Sequence, residues 1–307
     1  MRLQANTSRS SAAPVMPDNR SFKAITLLIV LSLIWGTSFI LIKQGLKAFP
    51  PTQVATLRAT AAFIFMLPIA LTRLKGLKPN DYFALFVSGM LGIFIPAFLF
   101  SNAQTKMDSS LAGILNTLSP ICTMIIGAMF FKLRFTGWSI VGTLIGLGGT
   151  VMLMLSRDGT SVTGVNYYAL LIVAACFMYA INLNWVKFQI HGLPPLTITA
   201  ISIMLIGPFA ITYLFGFTDF TTRVQTVDGA WKAFGFVVLL GCMSTAVATL
   251  LFTNLVKIST PLFASSVTYL MPIVSVGWGL LDGEILYAGH YIGMAAILGG
   301  VYLANRK

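Results

Sequence analysis

Charge is what this chain has least of: only 9% of its 307 residues are Asp, Glu, Lys or Arg, where a soluble domain carries about 25%. With 57% of residues hydrophobic, an ordinary water-soluble fold is excluded and a polytopic membrane protein is expected. Cysteine and histidine are almost as scarce. Cys122, Cys176 and Cys242 lie inside apolar runs, and His191 and His290 stand alone near run ends. Neither a disulfide framework nor a metal-ligand spacing is available, so no metal and no cofactor is expected. The chain has no G-x-x-x-x-G-K-[ST] loop with which to drive a step by its own ATP hydrolysis. All eight carboxylates fall in the amino-terminal tail, in connections or at run ends. That leaves no embedded proton relay and no acid pair or Ser/His/Asp set for intramembrane catalysis, and an enzyme is not expected.

What the chain has is apolar length. Residues 1–22, rich in Ser, Ala and Asn, bury too little apolar surface to order themselves and read as a disordered cytoplasmic tail. Ten runs of bilayer-crossing length follow, at 24–46, 52–72, 82–104, 109–131, 137–155, 165–188, 196–216, 233–256, 262–282 and 286–303. With the amino terminus inside, the inner segments carry thirteen basic residues against Asp18 and Asp81, while the outer segments balance six basic against six acidic. Basic excess marks the cytoplasmic side, so both termini are expected there. Topology accounts for the net charge of +12, and a nucleic-acid partner is not expected.

The runs repeat. Ser109–Phe131 contains Leu118-Ser119-Pro120-Ile121, and Thr260–Gly283 answers with Leu270-Met271-Pro272-Ile273 at an offset of 152. Lys43–Pro51, KQGLKAFPP, aligns with Lys187–Pro195, KFQIHGLPP, at an offset of 144, which also sets Trp35 opposite Tyr179. Gly142, Gly148 and Gly149 fall opposite Gly293, Gly299 and Gly300 at an offset of 151. The expected fold is an all-α membrane protein of ten transmembrane helices, built as two five-helix repeats over 23–155 and 165–303. An odd number of spans per repeat inverts the second relative to the first. Such a repeat holds its substrate site near the midplane, and interrupted helices in corresponding positions point to it.

Arg58, about two turns into the second run, is the one ionisable residue at depth. It reads either as a snorkelling or internally paired cation or as the contact for an anionic substrate group, and its repeat counterpart is Ser202. The polar and aromatic candidates for a cavity lining are Trp35, Ser38, Phe98, Asn102, Asn116, Thr117, Tyr179, Asn182, Thr245, Thr268 and Tyr269. Phe98 and Asn102, four apart, share a helix face. Aromatic walls with a few amides and hydroxyls suit a small zwitterionic or amphipathic metabolite. The same residue types also join helices to one another and populate interfacial belts. Pro120 and Pro272 free backbone groups in midspan and are candidate helix breaks or gates. The glycines of the fifth and tenth runs suit close helix packing, either within one subunit or across a homodimer.

Trp35-Gly36, Lys43, Pro50-Pro51, Arg58, Leu118-Ser119-Pro120, Leu270-Met271-Pro272 and Gly283-Glu284 together resemble the drug/metabolite transporter superfamily, specifically its EamA-type ten-helix members. The resemblance covers Ala24 to Leu303 and implies a secondary carrier of the inner membrane, frequently an exporter of amino acids or related metabolites, with a central cavity framed by the two halves. Carried over by position, Trp35, Arg58, Pro120, Pro272 and Glu284 match family-type positions. Phe131-Lys132 stands where a Gly-Glu pair like Gly283-Glu284 often closes the fourth span. The function expected is export of a small organic metabolite such as an amino acid by alternating access, the partners being that solute and the lipid bilayer. An organic-anion or nucleotide-sugar antiporter is the second reading, and a non-transporting scaffold or lipid-handling protein the third.

Overall fold

The computed structural model describes residues 18–106, 112–113, 115–155, 167–281 and 288–304. The expected tail up to residue 17, and Asp108, Gly283 and Glu284 among the residues singled out above, lie outside the described residues. Every regular element that is described is a helix. Helix α1 (Asp18–Gly45) already begins inside the stretch expected to be tail. Helix α2 (Pro51–Thr72) opens on Pro51, whose fixed φ and missing N–H suit a first helical turn. Helix α3 (Pro79–Gly89) passes through a π-helical turn, Met90–Phe94, into α4 (Ile95–Ala103). Pro96 explains the turn. It has no N–H for the Gly92 carbonyl four residues back, and its ring would crowd that carbonyl. The wider turn, in which the Ile95 N–H reaches the Met90 carbonyl, accommodates it.

A 3-10 turn, Asn116–Leu118, leads into α5 (Ser119–Phe131). Pro120 leaves the Asn116 carbonyl without its helical donor, and the Ser119 hydroxyl donates to it at 2.7 Å. The helix break expected at Pro120 therefore falls one turn earlier, at the carbonyl the proline cannot serve. Helices α6 (Gly137–Leu155), α7 (Tyr167–Phe188) and α8 (Pro195–Gly216) follow, α8 opening on Pro195 as α2 does on Pro51. A short helix in the connection, α9 (Phe220–Thr226), is one the apolar pattern does not signal. Helix α10 (Ala230–Leu239) runs through a second π-helical segment, Leu240–Val247, into α11 (Ala248–Ile258). Helix α12 (Pro261–Ser265) breaks at Ser266 before α13 (Val267–Leu281), again upstream of its proline, Pro272, and α14 (Ala288–Ala304) closes the described chain.

All ten expected runs carry helix, and among the described residues six helices are long and apolar enough to cross a membrane, while the remaining four runs hold shorter apolar helices. Phe22, Ile29, Phe130, Leu144, Trp231 and Tyr302 face outward, an apolar exterior suited to lipid rather than water. The chain is an integral membrane protein.

The packing comes in corresponding pairs. Helix α1 lies on α13 and along α10–α11; α7 lies on α5 and along α3–α4; α2 lies on α8, and α6 on α14. The α6–α14 contact is backbone-close: a Cβ added to Gly142 would stand 2.1 Å from the Ala304 nitrogen, and one added to Gly300 2.5 Å from the Gly146 nitrogen. The surface of Gly142, Gly146 and Gly300 is thus occupied within the chain, leaving no room for a homodimer through those residues.

Candidate functional site

Helices from both halves surround a cavity that opens to the surface, about 1220 Å³ of empty space with its open mouth included. Helix α1 contributes Trp35 and Ser38, three apart and so on one face. The Trp35 indole N–H donates to the Ser244 carbonyl at 2.9 Å, the Ser38 hydroxyl donates to the Ser244 hydroxyl at 2.6 Å, and the Trp35 ring lies 5.0 Å from that of Phe252. These contacts tie α1 to the second π-helical segment. Arg58 extends from α2 into the same region, and its Nε donates to the Thr245 hydroxyl at 3.1 Å. No carboxylate pairs with it among the described residues, and its two terminal amino groups have no protein acceptor there. Arg58 is the one formally charged residue in the described wall.

Across the cavity, Tyr179 stacks on Phe100 with ring centroids 6.1 Å apart. Asn182 packs its amide against the first π-helical turn, where a Cβ on Gly92 would lie 2.2 Å from the Asn182 Nδ2. Its Oδ1 is buried without a hydrogen-bond partner, as is the Ser202 hydroxyl. Asn116 and Thr268 complete the candidates found in the wall. The Asn116 amide reaches the Met271 sulfur at 3.8 Å, and Thr268 returns its hydroxyl to the Ser265 carbonyl at 2.9 Å.

Four candidates do not line the cavity. Phe98 meets Tyr213 edge-on, its centroid 6.1 Å away on α8, and Asn102 donates to the Phe98 carbonyl at 2.8 Å. The third span instead presents Phe100 to the cavity; two residues of helix are about 200° of rotation, so Phe98 and Phe100 cannot share a wall. Thr117 is fully buried beside Asn116. Tyr269, also fully buried, donates its hydroxyl to the Thr143 carbonyl at 3.3 Å and packs its ring on Gly146. It joins α13 to α6.

At one end of the cavity two lysines cap each other's helix. Lys187, in the last turn of α7, donates to the carbonyls of Val256, Lys257 and Ser259 at 3.0, 3.1 and 2.6 Å. Lys257, in the last turn of α11, donates back to the carbonyls of Val186, at 3.0 Å, and Ile190. Val186 and Val256 are themselves in the cavity wall. Helix carboxyl ends carry partial negative charge and unpaired carbonyls, so each lysine answers both needs of the opposite helix.

A model of the EamA-like transporter family matches residues 22–155 and again 166–306. The chain belongs to that family. It is 25% identical over 289 residues to the uncharacterized inner membrane transporter YedA of Escherichia coli, spanning 91% of this chain and 89% of that one. It is also 25% identical over 299 residues to a probable amino-acid metabolite efflux pump of Escherichia coli, spanning 93% and 95%. A solved crystal structure of a protein 18% identical superposes with a TM-score of 0.69 over 94% of this chain and 96% of that one, which extends the likeness to the fold.

For this EamA-family chain, sequence reasoning overlooked Ser119, Ser202, Ser244 and Phe252 as wall residues. Phe252 lies seven residues beyond Thr245, on the same helical stripe, and Ser202 was visible as the counterpart of Arg58. Ser244 carried no separate signal. It lines the cavity beside Thr245, both lying in the π-helical segment.

Proposed function

We propose that this protein is a secondary transporter that exports a small organic metabolite, an amino acid or close relative, by alternating access. The observation that carries the reading is Arg58: a guanidinium with free terminal donors, held by Thr245, in a cavity whose described wall is otherwise uncharged, made of aromatic, aliphatic, hydroxyl and amide side chains. Such a wall gives affinity through apolar contact and orientation through one charged group. The probable amino-acid metabolite efflux pump among its relatives agrees with that substrate class. Its setting is the bacterial inner membrane, with both termini cytoplasmic and ten spans arranged as inverted repeats over 23–155 and 165–303. The element-for-element correspondence of the packing supports that arrangement.

The lysine pair supports alternation. Lys43 corresponds to Lys187 at an offset of 144, and Lys106 to Lys257 at an offset of 151. Both are exposed, and among the described residues neither has a hydrogen-bond or ion-pair partner. In an inverted repeat these two lysines sit at the opposite end of the cavity. The pair closes one end of the cavity, and among the described residues no equivalent contact is made at the other, as a carrier open to one side requires.

Counterflow in proteoliposomes tests the function. Labelled amino acid should enter vesicles preloaded with the same amino acid, with no ATP present. No counterflow for any amino acid in a panel of all twenty would overturn the substrate class. Movement of organic anions alone, abolished in Arg58→Ala, would establish the antiporter reading instead.

A further inference from the structure

The repeat assigns each cavity residue of one half a counterpart in the other. At an offset of 144, Trp35, Ser38 and Arg58 correspond to Tyr179, Asn182 and Ser202, and all six line the cavity. The two sets sit in opposite hydrogen-bonding states. On the first side Trp35 and Ser38 are both bonded to Ser244, and what remains is the donor-only end of Arg58. On the second side the Asn182 Oδ1 and the Ser202 Oγ are buried and unsatisfied. Buried acceptors without donors are costly, and where they persist a missing partner is the first explanation to test.

Three ligand chemistries can be weighed against this wall. A carboxylate alone would answer Arg58, and the Ser202 hydroxyl can donate to it, but it brings no donor for the Asn182 Oδ1. An amine alone would answer the acceptors but add a second cation to a cavity that holds an unneutralised guanidinium, with no carboxylate in its described wall to offset it. A molecule bearing both groups satisfies both sides and leaves the net charge unchanged. We infer that the cavity binds a small zwitterion in one orientation, with its carboxylate on Arg58 and its ammonium on Asn182 and Ser202. This deepens the amino-acid reading given above and rests on it. The inverted repeat supplies two equivalent positions, and divergence of their side chains has left one cationic and donor-only and the other neutral, with two unsatisfied oxygens that can accept. Gly92 is part of the device, because any side chain there would occupy the space of the Asn182 amide.

The test uses the purified full chain in lipid nanodiscs and three probes of one shape: phenylalanine, 3-phenylpropanoate, which lacks the amine, and phenethylamine, which lacks the carboxylate. Phenylalanine should bind at least about tenfold more tightly than either truncated analogue, the scale of one lost charge-assisted hydrogen bond. Ser202→Ala and Asn182→Leu should bring phenylalanine down to the level of 3-phenylpropanoate and leave 3-phenylpropanoate itself unchanged. Arg58→Gln should instead reduce phenylalanine to the level of phenethylamine. The isosteric Asn182→Asp supplies a carboxylate to the amine side and should raise phenethylamine binding, an outcome that misfolding cannot produce. Equal loss of phenylalanine and 3-phenylpropanoate binding in Ser202→Ala and Asn182→Leu would overturn the inference, since packing alone would then explain both residues. Wild-type protein that binds phenylalanine and 3-phenylpropanoate equally would overturn it too while leaving carboxylate transport intact. If no amino acid of the full panel binds, it is the substrate reading beneath it that fails.

Discussion

Lys187 and Lys257 each donate to the carboxyl-terminal carbonyls of the helix that carries the other, closing α7 onto α11 at one end of the cavity. Two like charges are brought together here because the groups between them are carbonyls at the negative ends of two helix dipoles. Each contact of this kind is worth about 0.3–2 kcal/mol, so losing one lysine should shift the balance between closed and open ends by up to about thirtyfold. Lys187→Gln or Lys257→Gln should therefore open this end. With Cys122, Cys176 and Cys242 replaced by alanine, a single cysteine at Val256 should react several-fold faster with an impermeant maleimide applied from the side of the lysine pair. Lys43→Gln and Lys106→Gln should slow the same reaction. Unchanged labelling in all four variants would show that the lysines are not a latch.

Gly92→Ala separates recognition from stability. The added methyl would meet the end of the Asn182 amide rather than backbone, and a side-chain end can swing aside. Thermal stability should fall by less than about 1 kcal/mol, while substrate affinity drops about tenfold as Asn182 leaves its place. A large stability loss with unchanged affinity would contradict the role given to Asn182.

The α6–α14 contact has its own control. Gly142→Ala would put a methyl 2.1 Å from the backbone nitrogen of Ala304, where neither helix can yield without moving, and should cost about 1–3 kcal/mol. Gly299 lies on the same helix pair with nothing within 4 Å of an added Cβ. Gly299→Ala should be neutral or slightly stabilising, since alanine is the better helix former. Thermal unfolding of the two variants in one detergent decides this.

Tyr269→Phe removes the hydroxyl that donates to Thr143 while keeping the buried ring. The expected cost is about 1 kcal/mol of stability, with substrate affinity unchanged. A variant of wild-type stability that fails to bind substrate would return Tyr269 to the cavity wall.

Much of the fold was legible. The prolines at Pro51 and Pro195 start helices where the pattern places them, and Trp35 and Tyr179, paired by the repeat, stand in one cavity wall. Arg58 was visible as the lone cation at depth, though not that Thr245 would hold its Nε and leave its end free. What the sequence does not signal has physical causes. Phe100 rather than Phe98 lines the cavity, and the sequence does not signal it, because a helix in lipid is apolar on every side and lacks the amphipathic pattern that marks an inward face in water. Lys187 and Lys257 were read as charges favouring the inner side, and nothing in one dimension says that two helix ends will meet. The π-helical segment Leu240–Val247 contains no proline to announce it.

Membrane residence, the helical segments and their repeat followed from composition and spacing, because a bilayer imposes helix length and backbone self-sufficiency on any chain that enters it. Membership of the EamA-like family is written in the same short motifs. Only the tertiary structure decided which side of each helix faces the cavity, which polar groups are satisfied and which have no partner, and that the ends of α7 and α11 meet. Those properties belong to contacts between segments some 70 to 210 residues apart, such as Lys187 with Lys257 and Trp35 with Ser244. Burial and hydrogen-bond satisfaction at such distances are set by packing, not by the local order of residues.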